Sequence, residues 1–126
     1  MPNDYALSLC GDDERQTNVR VRVLMPSFAE LELQVIRWSE ARKIIPNSTA
    51  QAQFIKLQEE VNELRDALLK NDMSETVDAI GDCTVVLLNI CALLDVNFTD
   101  CLAHVYDQIK SRTGTMGADG IFYKDK

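Results

Sequence analysis

The sequence predicts an all-α fold, an antiparallel helical bundle. Three observations predict it. Apolar residues recur at helical spacing in four successive segments, and short polar connections rich in cap residues separate them. Strand-period alternation is confined to Val19-Arg20-Val21-Arg22-Val23. At 126 residues the chain suits one domain, with residues 1–26 as an N-terminal extension and 27–126 as the folded body.

The extension has a polar start, a Gly11-Asp12-Asp13 turn signal and the one short strand pattern. Helix one is expected from Ser27 to about Lys43, because Phe28, Leu31, Val35, Trp38 and Ala41 or Arg42 share a face. Ile45-Pro46-Asn47-Ser48-Thr49 breaks it, since proline disfavours helix at the residue before it, and Ser48 or Thr49 can cap the next helix. Helix two is expected from Ala50 to Leu69 with a core stripe of Leu57, Val61, Leu64 and Leu68. Glu60 and Glu63 lie on one flank of that stripe, Glu60 nearer the seam and half in water.

Asn71-Asp72-Met73-Ser74 is too short to do other than fold helix three back on helix two, with Ser74 as the expected cap and Glu75 to Leu94 as the span. On helix three, Glu75, Asp78, Asp82 and Asn89 fall within an arc of roughly 60°. The positions after Ile80 are otherwise mostly apolar, so the helix is expected to be buried nearly all round, with Asp82 entering the interior and Asn89 inside it. Helix four is expected from Asp100 to about Ser111, with Leu102, Val105, Tyr106 and Ile109 inward and His104 a packed histidine. The tail, with Gly114, Gly117 and Gly120, reads as a flexible segment able to close over an anion.

Composition narrows the function. The 46% hydrophobic and 26% charged residues exclude wholesale disorder. A net charge of -7 repels nucleic-acid backbones and anionic membrane surfaces, so no nucleic-acid polymer is expected as partner. Cys10, Cys83, Cys91 and Cys101 form no metal-ligand spacing and suit a reduced, cytoplasmic protein. The longest uncharged run, Cys83 to Leu94, falls short of the roughly 20 residues of a membrane span, and no membrane association is expected.

The chemistry lies in two acidic rows, Glu59-Glu60-x-x-Glu63 on helix two and Glu75-x-x-Asp78-x-x-x-Asp82 on helix three. Facing carboxylate rows repel, and a hard divalent cation reverses that sign. All-oxygen ligands suit Mg²⁺, with Mn²⁺ as the alternative, and such a metal floor points to hydrolysis of a polyphosphate. Lys56, Lys110 and Arg112 are candidates to bind the phosphates. The competing reading is a non-catalytic helical interaction module with a solvated acidic face.

The run Lys56-Leu57-Gln58-Glu59-Glu60-Val61-Asn62-Glu63-Leu64, followed by Asp78-Ala79-Ile80-Gly81-Asp82 before an apolar helix, resembles the MazG-like nucleotide pyrophosphohydrolases of the all-α NTP pyrophosphatase superfamily. Ala79 stands where that family's E-x-x-D pattern has its first acid, while Asp78 matches a D-x-x-G-D form of phage-type members. Ile109-Lys110-Ser111-Arg112-Thr113-Gly114 and Gly120-Ile121-Phe122 resemble the same branch.

The resemblance implies cleavage of a (deoxy)nucleoside triphosphate to monophosphate and pyrophosphate with Mg²⁺, in a bundle completed by oligomerisation as a homodimer or homotetramer. Within the fold, a phosphoribosyl-ATP pyrophosphatase or a dimeric dUTPase is the alternative. It further implies Glu60, Glu63, Asp78 and Asp82 as metal ligands, with Glu59 and Glu75 as supporting acids or the proton acceptor. Trp38 is a candidate to stack on the base, or else to pack. Gln53 and Asn89 are candidates to bond substrate or a ligating acid, or else to serve structure.

Overall fold

In the computed structural model, which describes residues 25–126, helices α1 (Phe28–Ala41), α2 (Ala50–Leu69), α3 (Met73–Leu93) and α4 (Phe98–Ile109) are followed by strands β1 (Gly114–Met116) and β2 (Phe122–Lys124). The expected Val19–Val23 strand and the Gly11 turn lie outside the described residues. The all-α class holds. The chain divides into two compact units, through Asp95 and from Val96 onward.

Each helix starts at a side-chain cap that accepts an orphan backbone N–H. Ser27 accepts from Glu30 N–H at 3.2 Å and Thr49 from Ala52 N–H at 3.0 Å, as the sequence led one to expect. Helix three is capped by Asp72, which accepts from Glu75 N–H at 3.0 Å, so the helix begins at Met73 and not at Glu75, and Ser74 lies inside it. Asn71 takes the left-handed conformation, with φ 54°, that reverses the chain within the short α2–α3 connection. Asn97 caps α4 by accepting from Asp100 N–H, which moves that helix two residues earlier than expected.

In the first unit α2 and α3 pack along most of their length and α1 packs on α3. The seam is not built as the leucine stripe suggested. Val61 and Leu68 are exposed and Leu57 and Leu64 only half-buried, while Glu60 and Ala67 of α2 meet the layer that buries Thr76, Ala79, Val86 and Asn89 of α3. Small side chains at Ala67, Thr76 and Ala79 allow the close approach. Helix α3 is accordingly not buried all round: Ile80 and Leu87 are exposed.

By length and composition α3 could cross a membrane. Its acids at 75, 78 and 82 and its buried Asn89 give it instead the character of the central helix of a bundle.

In the second unit the glycine-rich tail forms an antiparallel hairpin pairing Gly114 with Lys124, Thr115 with Tyr123 and Met116 with Phe122. Gly114 is required there, because a Cβ would lie 2.3 Å from the Tyr123 carbonyl oxygen. Asp119 fixes the turn by accepting from Ile121 N–H and Tyr123 O–H. His104 is exposed beside Gln108, not packed.

Candidate metal centre

Carboxylate oxygens of Glu60 and Glu63 on α2 and Asp82 on α3 lie within 4.8 Å of one another. Helical spacing puts the first two on one face, and the antiparallel return of α3 brings the third opposite. The burial order reverses the sequence expectation. Glu60 is only 7% exposed, whereas Asp82 remains exposed.

Glu60 is the electrostatic centre. Its Oε1 meets Lys56 Nζ at 3.4 Å, and its Oε2 is buried and, with Glu63 ionised, has no hydrogen-bond donor. Lys56 also binds Glu59 at 3.1 Å, and these two acids hold the ammonium above its ordinary pKa range. The Glu63 carboxyl is raised, first through the proton it can share with Glu60 and then by repulsion from that group. Asp82 is raised first by loss of water and then by the charges of Glu60 and Asp78. Burial likewise raises the neighbouring Cys83 thiol, which therefore stays protonated.

Such an arrangement asks for positive charge. Three converging carboxylates, one with a buried oxygen lacking any donor, fit a hard divalent cation better than they fit an empty interior.

The triad opens into an acid-lined cleft of about 390 Å³, walled by Glu63, Asp66, Lys70, Glu75, Asp78, Ala79 and Asp82. Asp82 also borders a second, mainly apolar hollow of about 370 Å³ formed with Leu31, Gln34, Val35, Trp38 and Val85. Arg42 covers the Trp38 ring from 5.2 Å.

Of the residues singled out from sequence, Glu60, Glu63 and Asp82 converge, while Asp78 and Glu75 line the cleft outside the triad. Glu59 is bound to Lys56. Asn89 and Gln53 meet each other: Ser39 Oγ donates to Asn89 Oδ1 at 2.6 Å, and Asn89 Nδ2 donates to Gln53 Oε1 at 3.3 Å. Lys110 and Arg112 belong to the second unit, where Lys110 pairs with Asp107 at 2.6 Å. Sequence reasoning missed Asp66, Lys70, Gln34 and Ser39. Asp66 and Lys70 follow Glu63 at three and seven residues, a same-face spacing that could have found them.

Residues 36–108 match the phosphoribosyl-ATP pyrophosphohydrolase family. An uncharacterized 18.2 kDa protein in the rep-hol intergenic region of Haemophilus phage HP1 (strain HP1c1) is 41% identical over 64 residues, 51% of this chain and 39% of that protein. The match thus spans well under two thirds of that relative's length. No solved structure matches the chain. Together with the helical fold, these findings bear out the MazG-like, phage-type resemblance.

Proposed function

The chain belongs to the phosphoribosyl-ATP pyrophosphohydrolase family, and from that premise we propose that it is a Mg²⁺-dependent nucleoside triphosphate pyrophosphohydrolase. Membership supports nucleotide pyrophosphohydrolase activity in general. The narrower reading, a (deoxy)nucleoside triphosphate cut to monophosphate and pyrophosphate, is carried by one observation: the donor-less Oε2 of Glu60 beside Glu63 and Asp82.

Glu60, Glu63 and Asp82 would hold the ion. When bound, it would supply neutralising charge for the phosphates and acidify a water molecule. The apolar hollow beside Asp82 offers the base a stacking face at Trp38 and an amide at Gln34. Glu59 is engaged by Lys56 and Glu75 lies seven residues from Asp82, so we assign Asp78, one turn from Asp82, to take the proton of the attacking water. The water oxygen bonds to the α-phosphorus, the bond to the bridging oxygen breaks, and pyrophosphate leaves with the electron pair. The same reading makes the protein a soluble one that acts in the cytoplasm.

The test is pyrophosphate release with Mg²⁺ or Mn²⁺ from a panel of ribo- and deoxynucleoside triphosphates that includes dUTP, with phosphoribosyl-ATP alongside. At least one triphosphate is expected to turn over, and Glu60→Gln to lower the rate by more than the roughly 10- to 100-fold typical of outer ligand partners. No turnover of any compound returns the protein to the non-catalytic reading, and turnover of phosphoribosyl-ATP alone moves it to that substrate.

A further inference from the structure

We propose that Lys70 binds the β- and γ-phosphates of the substrate, and then the departing pyrophosphate, at the end of the acidic cleft remote from the base. The inference rests on the reading of the Glu60, Glu63 and Asp82 triad as the place of phosphate chemistry.

The two hollows meet at Asp82, one apolar and one lined by charge. A nucleotide has the same two ends. With its base against Trp38, its α-phosphate falls at the junction and its tail must run into the acidic cleft. That cleft extends along the α2–α3 seam toward the helix turn. Seven residues, about 10 Å of helix axis, separate Glu63 from Lys70, and the same interval separates Asp82 from Glu75 on the returning helix. This is the reach of an extended polyphosphate with a hydrogen bond at its end.

Lys70 is the one cation among the described residues lining the cleft. Its ion pair with Glu75 is a long one, 3.9 Å, between side chains 66% and 57% exposed. An exposed pair of that length contributes little, so the ammonium can change partner readily. Lys56, by contrast, is held by two acids, one of them buried. Asp66 and Glu75 stand at the same end as Lys70 and repel a bare anion. The tail therefore enters as its magnesium complex, and Lys70 supplies the fixed positive charge that gives it direction. With the α-phosphate at the junction beside the triad, this polarity places the departing pyrophosphate on the Lys70 side.

Calorimetric titration of the whole chain with magnesium pyrophosphate tests the assignment, with Mg²⁺ alone as the control. Lys70→Met is expected to weaken pyrophosphate binding about tenfold, Lys70→Arg to restore most of it, and both to leave the affinity for Mg²⁺ alone unchanged. In turnover, Lys70→Met raises KM for the triphosphate with a smaller effect on kcat. Lys70 caps α2 through its backbone N–H, which the substitutions keep, and circular dichroism checks the fold. Pyrophosphate binding that is equally tight in Lys70→Met, equal losses for Mg²⁺ and pyrophosphate, or no pyrophosphate binding by the unaltered chain each overturns the proposal. If the unaltered chain still hydrolyses triphosphates, only the role of Lys70 falls. If no triphosphate turns over, the reading of the site falls with it.

Discussion

Glu60 is where two opposing free energies meet. A buried polar atom without a donor costs about 1–3 kcal/mol, and a bound cation offsets that cost. Glu60→Gln should therefore raise the melting temperature of the metal-free protein and abolish the rise produced by millimolar Mg²⁺, since a ligand stabilises only the state that binds it. Thermal unfolding with Mg²⁺ and with chelator measures both, and a metal-dependent rise that survives the substitution would remove Glu60 from the ligand set. The pH dependence has a determined sign. Glu63 and Asp82 hold protons more tightly in the folded chain than at their ordinary values of 4.5 and 3.8. The native state thus carries more bound protons than the unfolded state from those values up to the raised ones, and metal-free stability falls as pH rises through that window. Metal binding needs the same groups ionised, so the Mg²⁺ contribution grows over the same range. Melting curves with and without Mg²⁺ should diverge as pH rises, and parallel curves would contradict the assignment. The position of Glu60 on its helix was legible from 100° rotation. Its depth was not, because depth depends on how closely Ala67 and Ala79 let two backbones approach.

Elements were read best where local chemistry decides them. The span of α2 followed from Thr49, an uninterrupted helical period and the turn at Asn71. The start of α3 was misplaced because Asp72 and Ser74 are both good caps, and it is Asp72 whose side chain accepts from the first turn, at Glu75 N–H. The hairpin was missed because strands of three residues carry no readable alternation and their pairing joins positions up to ten residues apart. Among the helices, α1, α2 and α3 are tied by the chain of Ser39, Asn89 and Gln53, which continues as Gln53 Nε2 donates to Ser48 Oγ at 3.1 Å. Asn89 is 3% exposed and Ser39 is fully buried, so neither finds water if the other is lost. Asn89→Ala should cost about 1–3 kcal/mol and lower the melting temperature by several degrees, while Mg²⁺ still stabilises the variant. Denaturant unfolding measures the loss. A change below about 0.5 kcal/mol would mean that the chain of bonds contributes little to holding the helices together.

At the scale of the whole molecule, the described residues leave much of their apolar surface uncovered. Among the described residues the buried apolar side chains are Ala67, Ala79, Val86 and Leu88, a small core for a segment of this size. The leucine stripe of α2 explains the shortfall. Leu57, Val61, Leu64 and Leu68 follow one another at intervals of 4, 3 and 4, the seam pattern of two packed helices, yet the packing of α3 leaves Val61 and Leu68 exposed and Leu57 and Leu64 half-buried. Val61, Leu64, Leu68 and Leu69 with Arg65 border an open apolar groove of about 400 Å³. We propose that a second copy covers it, presenting the same stripe about a two-fold axis in an isologous contact. The helical period located the stripe, but within this chain α3 leaves Val61 and Leu68 uncovered: periodicity marks an apolar face without saying what covers it. Sedimentation at micromolar concentration should show a homodimer or a multiple of it. Leu68→Glu, placing two like charges across the axis, should shift the population to monomer with helicity retained. A wild-type monomer, or a variant that sediments like wild type, would assign the stripe no role in assembly.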